Sequence, residues 1–271
     1  MWRNYVTVGL RSLLKSRTYA FINIVGLAIG LAACLMLLLY VRYERSYDEW
    51  LPNGQNVYQL QNWAIDRETG DRFNLQMSQY VAGTALQRDF PEVEARVHVA
   101  SAGPVVLRGG EALMVEDAVS VDGPFFDVLP LELVKGDPAT ALAQPRNIVL
   151  SQTEARRLFG NQDPVGRTLT LVRRGQHIDH RVTGVIRDIP RNSHMRINMI
   201  IRFDPATEFA DFPDYLTSWA RFPAGTMYGF VPAPPRSEST LQCRNGSGAT
   251  SRLSTTARAR STAGASRTGA W

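Results

Sequence analysis

The sequence predicts an α+β domain carried on one N-terminal transmembrane helix and followed by a disordered C-terminal tail. Three observations predict it: one unbroken apolar run near the start, short strand and helix patterns interleaved through the body, and a final stretch nearly empty of apolar side chains.

The apolar run is Ala20 to Val41, AFINIVGLAIGLAACLMLLLYV, in which Asn23 is the one clearly polar side chain. As a helix these 22 residues cover roughly 33 Å, against about 30 Å of bilayer hydrocarbon. Arg3, Arg11, Lys15 and Arg17 precede the run with no acid among them, whereas beyond it Arg42 and Arg45 are offset by Glu44, Asp48 and Glu49. The positive-inside bias therefore keeps the N-terminus in the cytoplasm and sends everything after Val41 outside. Leu31-Ala32-Ala33-Cys34 also fits a lipoprotein processing site, but a processed cysteine is followed by polar residues, and here Leu35 to Leu39 continue the apolar run. A cleaved secretory signal fits less well, because the run exceeds the length of a signal's apolar core.

Ahead of the span, Trp2, Tyr5, Val6, Leu10, Leu13 and Leu14 recur at helical spacing while Arg3, Arg11 and Lys15 fall elsewhere. Residues 1–19 thus read as an amphipathic helix on the cytoplasmic leaflet, or as a basic flank of no defined structure. Within the span Gly26, Gly30 and Cys34 stand four apart and form a small-residue face. Such a face lets transmembrane helices approach closely, so it implies a partner helix, although the spacing also arises by chance in apolar segments.

The formal charge of +5 misleads unless the chain is divided. Residues 42–231 hold 20 cationic and 24 acidic side chains, and the basic excess sits in residues 1–41 and 232–271. No basic stripe remains in the body to neutralise phosphates, which excludes nucleic-acid binding. The two cysteines, Cys34 in the span and Cys243 in the tail, exclude a disulfide scaffold, and a body of this size buries a core without one.

Through the body, Tyr58 and Leu60 alternate with polar residues from Asn56 to Asn62 and predict a half-buried strand. Gln79 to Phe90 is helical in pattern and is stopped by Pro91. Val93, Ala95, Val97 and Val99 then alternate with Glu94, Arg96 and His98 as a second strand. Shorter strands follow at residues 105–107, 113–116 and 119–121. Ile148 to Leu150 is a short buried strand, and Ser151-Gln152-Thr153-Glu154 after it is a capping box: the Ser151 hydroxyl accepts the Glu154 amide, and the Glu154 carboxylate reaches back to the Ser151 amide. The helix runs to Phe159, Gly160 ends it, and residues 163–166 turn the chain into a strand at 168–172. Residues 174–176 read as a hairpin turn, 181–186 as its return strand, and Ile197, Met199, Ile201 and Phe203 as the inward face of another. Interleaved elements favour an α+β domain, with room for two lobes.

Few residues suggest chemistry. His177 and His180 flank Asp179, but on a hairpin strand the two imidazoles fall on opposite faces, which argues against a metal. His194 in Asn192-Ser193-His194 suits a turn cap better than catalysis. Ser151 is explained by the helix it caps, and no nucleophile stands beside a spaced base. Phe125, Phe126 and Val128 read as a short helix pinned to the core rather than as a binding patch, and Asp188-Ile189-Pro190 as a structural turn. The chain is expected not to be an enzyme.

The opening RNYVTVGLRSLLKSRTYAFINIVGLAIGLAACLMLLLYVRYERSYDEW resembles the N-terminus of permeases of the MacB and FtsX type. VDGPFFDVLPLELVKGDPATAL, NIVLSQTEARRLFGNQDPVGRTLTL and VTGVIRDIPRNSHMRINMII resemble the periplasmic core domain of the same permeases, in the same order. The resemblance implies an inner-membrane permease subunit of an ABC transporter, with residues 42–231 as the periplasmic core domain. It also implies a dimer or a second permease half, a cytoplasmic ATPase partner whose nucleotide-driven closure moves the helices, and scope for a periplasmic adaptor. No GxxxxGK[ST] motif occurs, so ATP belongs to the partner and no cofactor is expected here. Such permeases carry three further helices, which are not found after Val41, so the chain is expected to be a C-terminally truncated front piece.

Of the 40 residues in the tail, 33 are Ser, Thr, Arg, Ala, Gly or Pro, which predicts disorder. With 28 Arg against 2 Lys in the chain, a GC-rich gene is expected, and with it a frame shift between Trp219 and Pro234 that makes the tail out-of-frame translation. A genuine disordered tail is the alternative. The competing functional readings are a single-span sensor or binding protein and a membrane-anchored enzyme.

Overall fold

The computed structural model describes Tyr5, Lys15 and residues 17–60, 62–65, 69–75, 77–108, 111–173, 175–219 and 226–230. The tail expected at 232–271 and most of the amphipathic segment expected at 1–19 lie outside these residues. The chain divides into two compact units, Met1–Tyr47 and Asp48–Trp271.

In the first unit the apolar run forms helix α1 (Arg17–Arg45), 29 residues long, with no acid in its first turn and Arg42 and Arg45 in its last. Hydropathy alone assigns 20–41; the helix continues past it at both ends, through Arg17, Thr18 and Tyr19 before it and Arg42, Tyr43, Glu44 and Arg45 after it, helix-compatible side chains with polar tips. At 1.5 Å per residue α1 measures roughly 43 Å, enough to cross the hydrocarbon and reach both interfaces. Leu27, Met36 and Leu39 lie open along it, and by length and composition it is a candidate membrane span.

In the second unit the strands are β1 (Val57–Gln59), β2 (Asn62–Ile65), β3 (Arg72–Leu75), β4 (Ala95–Ala102), β5 (Val105–Arg108), β6 (Glu111–Met114), β7 (Ala118–Asp122), β8 (Leu133–Lys135), β9 (Asn147–Ser151), β10 (Thr168–Arg173), β11 (Gln176–Ile186), β12 (Met199–Arg202) and β13 (Thr226–Phe230). The helices are α2 (Tyr80–Asp89), α3 (Phe125–Val128), α4 (Pro138–Ala141), α5 (Gln152–Phe159), α6 (Pro205–Glu208) and α7 (Asp214–Thr217). Eleven strands form one mixed sheet in the order β1-β13-β4-β7-β12-β9-β11-β10-β5-β6, with β8 also on β11, while β2 and β3 pair as a separate hairpin.

The centre of this sheet is covered on both faces, as a run of consecutive apolar residues requires. Ile148 and Leu150 of β9 and Met199 and Ile201 of β12 pack with Ala155 and Leu158 of α5. Val149 and Ile200 point the other way and pack with Phe125 and Val128 of α3. The period-two reading of 197–203 is corrected accordingly: Ile200, which it left outside, is fully buried, and Ile197 joins the core cluster of Ile200 rather than that of Met199. These two core clusters lie on opposite faces of one sheet, and Asp48–Trp271 is one compact unit rather than two lobes.

β11 joins the halves of the sheet. It starts at Gln176, five residues before the expected 181, because its hairpin with β10 pairs from Arg173 opposite Gln176 onward. Beyond Arg181 it runs parallel to β9, with a register shift between Val182 and Gly184. The Thr183 hydroxyl at that bulge donates to the Ala141 carbonyl at 2.6 Å, tying α4 to the sheet. Gly136 enters from β8 with φ 95°, and a Cβ there would stand 2.5 Å from the Thr183 carbonyl oxygen. Only glycine fits.

Candidate functional site

One densely bonded local feature lies where the chain leaves α1. The Ser46 amide donates to the carbonyls of Arg42 and Tyr43, both at 3.1 Å, and the Ser46 hydroxyl donates to Tyr43 at 2.7 Å. These bonds satisfy carbonyls that a helix end leaves open. The Tyr47 ring meets Tyr43 edge-on at 5.3 Å. Residues 46 and 47 are therefore an extension of the helix end.

Asp48, the first residue of the second unit, sits in the left-handed region at φ 58°. Its backbone amide donates to the Asn192 carbonyl at 3.0 Å. The Ser193 hydroxyl donates to Oδ1 at 2.7 Å and the His194 amide to the same oxygen at 3.1 Å. His194 Nδ1 stands 2.7 Å from Oδ2, and because an ionised carboxylate only accepts, the ring nitrogen is the donor. One carboxylate thus gathers three donors from residues about 145 positions away in sequence, and hydrogen bonds to an ionised group are the stronger kind. An αL aspartate is costly unless its surroundings hold it, and here they do. Just beyond it Leu51 is buried and Trp50 packs in the same core cluster, together with Met195 and Ile197 from the other side of the clasp.

The clasp also bonds onward. Ser193 Oγ accepts the Met195 amide at 3.1 Å. Further along the same segment, the Asn198 carbonyl accepts the Ser151 amide at 2.8 Å, and the Asn198 amide donates to Asp117 at 2.9 Å. The segment from 192 to 198 therefore fastens Asp48 at one end and the ends of β9 and β7 at the other.

Asp48, His194 and Ser193 have the residue types of a hydrolase triad but not its geometry. In a triad the serine gives its proton to the histidine, which is held by the carboxylate. Here serine and histidine both donate to the carboxylate, so no base faces the hydroxyl. The turn-capping role read for His194 is reversed: the Asp48 carboxylate caps the His194 amide, and the His194 ring bonds that same carboxylate, a partner that nothing local in the sequence points to.

A second polar group is buried in the sheet. His98, one of the polar residues in the alternation read for this strand, is fully buried. Successive residues of β4 point to opposite faces, and both are covered: Val97 packs with Phe125 of α3, and His98 meets Tyr80 of α2 at 5.4 Å and Phe203 at 6.3 Å between centroids. Neither ring nitrogen has a hydrogen-bond partner. Burial pushes His98 down to about 4, with Arg96 adding to the shift and Asp122 opposing it. Asp122, directly across the strand pair from His98, accepts the Tyr80 hydroxyl and pairs with Arg202 at 3.2 Å. Burial first, then that hydrogen bond, pushes the Tyr80 phenol up.

The other residues singled out by sequence are placed as follows. At Gly26 and Gly30 an added Cβ would meet nothing within 4 Å, and Cys34 is exposed, so this face of α1 is open. The Ser151 hydroxyl accepts the Glu154 amide at 3.1 Å. The return bond of a capping box is not made: the Glu154 carboxylate is turned to Arg157 at 2.6 and 2.9 Å, and the Ser151 amide is taken by Asn198. The second cap on α5 is instead Asp188, which accepts the Thr153 amide at 2.9 Å and its hydroxyl at 2.7 Å. His177 pairs with Val172 and His180 with Leu169 across the hairpin, and among the described residues no cluster of metal-binding side chains occurs. Phe125, Phe126 and Val128 are all buried.

No curated protein matches the chain. Its structure is similar to a domain of a permease protein from Porphyromonas gingivalis, with TM-score 0.55 and 18% identity over 69% of this chain and 78% of that one, a likeness of fold. It is also similar to the periplasmic region of MacB from Actinobacillus actinomycetemcomitans, with 16% identity, 68% and 78% coverage and TM-score 0.47. The extracellular domain of the ABC-type transporter YknZ from Gram-positive bacteria matches with 15% identity, 66% and 85% coverage and TM-score 0.41. The family profile of the MacB-like periplasmic core domain matches residues 20–238, from within α1 to beyond β13, and the chain belongs to that family.

Proposed function

We propose that this chain is a permease subunit of an ABC-type transporter, in which ATP hydrolysis by a separate cytoplasmic ATPase moves α1 and the movement is passed to the periplasmic domain. Family membership implies partnership with an ATPase and a role as a transporter component rather than an enzyme. One apolar helix beside a MacB-like domain fits an inner-membrane protein with a periplasmic domain. The observation that carries the reading is continuity. The family match begins inside α1, and Ser46 and Tyr47 are bonded back to that helix while the next residue, Asp48, is bonded into the domain. The family match thus takes in both the apolar helix and the domain, as a permease component requires.

In this reading residues 1–19 lie on the cytoplasmic leaflet, 20–41 cross the bilayer and 42–231 stand outside. Gly26, Gly30 and Cys34 meet a second copy or another permease half, and a periplasmic adaptor completes the route. ATP stays on the partner, and the chain itself holds no cofactor. The test is purification of the tagged full chain from its own membranes. An ABC ATPase is expected to co-purify, with a turnover that changes when the chain is removed. Recovery of the chain with no ATPase, or a reporter after residue 60 facing the cytosol, would overturn the reading.

A further inference from the structure

We propose that His98 is an acid-operated latch on α2: once its ring takes up a proton it claims the Asp122 carboxylate from Tyr80, and the helix, with α7 on it, comes away from the sheet. The device lies wholly within Asp48–Trp271 and goes beyond the permease reading, on which it does not depend. As a neutral ring, His98 does nothing that a hydrocarbon ring would not do better. It is fully buried, it meets Tyr80 and Phe203 edge-on, and both its nitrogens lack a partner, so the fold carries the cost of two unmatched polar atoms. What an imidazole offers and a phenyl ring does not is a charge.

One anion is placed to receive that charge. Asp122 stands opposite His98 in the register of β4 and β7, which puts the two side chains on one face with about 5 Å between their Cβ atoms. On the other side of β4 the register partner is Met227 of β13. α2 presents the Tyr80 phenol, β4 itself the Arg96 guanidinium, and β12 the guanidinium of Arg202, which is paired with Asp122. Phe203, with Phe209 behind it, brings rings without charge. Asp122 is already fully engaged: Oδ2 accepts the Tyr80 hydroxyl and Oδ1 meets Arg202 at 3.2 Å. Arg202 is a permanent cation and is held a second time by the Gly123 carbonyl at 3.0 Å. Tyr80 is neutral, so in a contest with an imidazolium it is the partner that yields.

The bond that yields is the one that fixes the start of α2. Tyr80 is the first residue of that helix. α7 packs on α2, and Phe209 lies between Tyr80 at 6.1 Å and Tyr215 at 5.7 Å. Farther along, α2 is tied to β4 by Arg96, which donates to Gln87 at 3.0 Å and Thr84 at 3.4 Å, and by a small apolar cluster around Leu86 and Val93. The opposite face of the sheet, where Val97 packs with Phe125 and Val128, takes no part and stays closed. Opening is therefore local. Its direction with pH follows from a ring at about 4 when closed and near 6.5 in water. The open form binds the proton first, so its population rises as pH falls, by about twentyfold between pH 7 and pH 5.

The test is amide hydrogen exchange of the full chain in detergent at pH 7 and pH 5, corrected for the intrinsic pH dependence of exchange. It is read at residues 80–89 of α2 and at 148–150 of β9, whose exchange reports opening of the whole sheet. In the wild type, protection of α2 is expected to lie below that of β9 and to fall about twentyfold from pH 7 to pH 5. Dilute urea that lowers the protection of β9 should leave that of α2 unchanged, since a local opening exposes little surface. His98→Phe is expected to hold α2 protection constant between the two pH values. Tyr80→Phe removes the bond that the imidazolium breaks; it should lower α2 protection at pH 7 and shrink the pH effect, because Asp122 is then open to the charged ring in the closed form. Wild-type α2 protection that does not move between pH 7 and pH 5 overturns the latch. So does a fall shared with β9 and equally sensitive to urea, which makes His98 a matter of global stability alone, and so does a fall that persists in His98→Phe. Should His98→Phe not fold, Tyr80→Phe decides, and a pH effect as steep as in the wild type overturns the proposal.

Discussion

At the residue scale the sharpest departure from expectation is His98, and it has a measurable consequence. A histidine neutral in the fold at about 4 and near 6.5 when unfolded binds its proton first in the unfolded chain. Between those two values the unfolded state holds more protons, so stability rises with pH across the window. The penalty is absent above about pH 6.5, grows as pH falls and is complete below about pH 4, where it reaches on the order of 3 kcal/mol. Urea unfolding of the full chain in detergent should lose stability more steeply from pH 7 to pH 5 than that of His98→Phe, which keeps a ring against Tyr80 and Phe203. Parallel pH profiles would show that His98 is not the group responsible. Gly136 gives a second residue-scale expectation. With φ 95° and a backbone oxygen 2.5 Å from any Cβ, Gly136→Ala should destabilise by about 2 kcal/mol or more, whereas Gly160→Ala, with open space around its Cβ, should cost less in the same urea titration.

At the element scale α5 shows what sequence makes legible and what it does not. The Ser151 cap spans three residues, and the side chain nearest the Glu154 amide is bound to be found by reading along the chain. Asp188 caps the same helix from 35 residues away, and its turn reads as structural without any sign of what it touches. The same contrast separates α2 and α5, whose ends follow from Pro91 and Gly160 close by, from the β2–β3 hairpin, whose residues carry no clear alternation. His98 was misread because alternation assumes one wet face, and a strand covered by α3 on one side and α2 on the other has none. Each cap on α5 satisfies an orphan amide and should contribute about 1 kcal/mol. Ser151→Ala and Asp188→Ala should therefore each lower the free energy of unfolding by that amount in urea, and nearly additively, since they serve different amides. A cost well below this for Asp188→Ala would mean that Ser151 alone secures the helix start.

At the scale of the whole molecule, hydropathy made the helix legible while sheet order stayed hidden, because neighbours such as β13 and β4, or β10 and β5, are brought together by contacts that no local pattern encodes. The family match supplied what local patterns lacked, an order of blocks rather than an order of strands. The small-residue face of α1 belongs to this scale, since its meaning depends on a second helix. Between helices in lipid there is no hydrophobic effect, so association depends on close approach at residues such as Gly26 and Gly30. Substitution there is a clean probe: an added Cβ at either glycine meets nothing within 4 Å in this chain, and leucine favours a helix more than glycine does. Gly26→Leu and Gly30→Leu should leave the chain folded and inserted yet weaken association between copies in a bilayer by roughly tenfold, about 1.4 kcal/mol. Energy transfer between donor-labelled and acceptor-labelled chains, titrated by dilution with lipid, measures this directly. Leu39→Ile, on the opposite face of the helix, is the control and should leave the titration unchanged. If both glycine variants associate as the wild type does, helices do not meet through this face, and a permease pair must be built on other contacts.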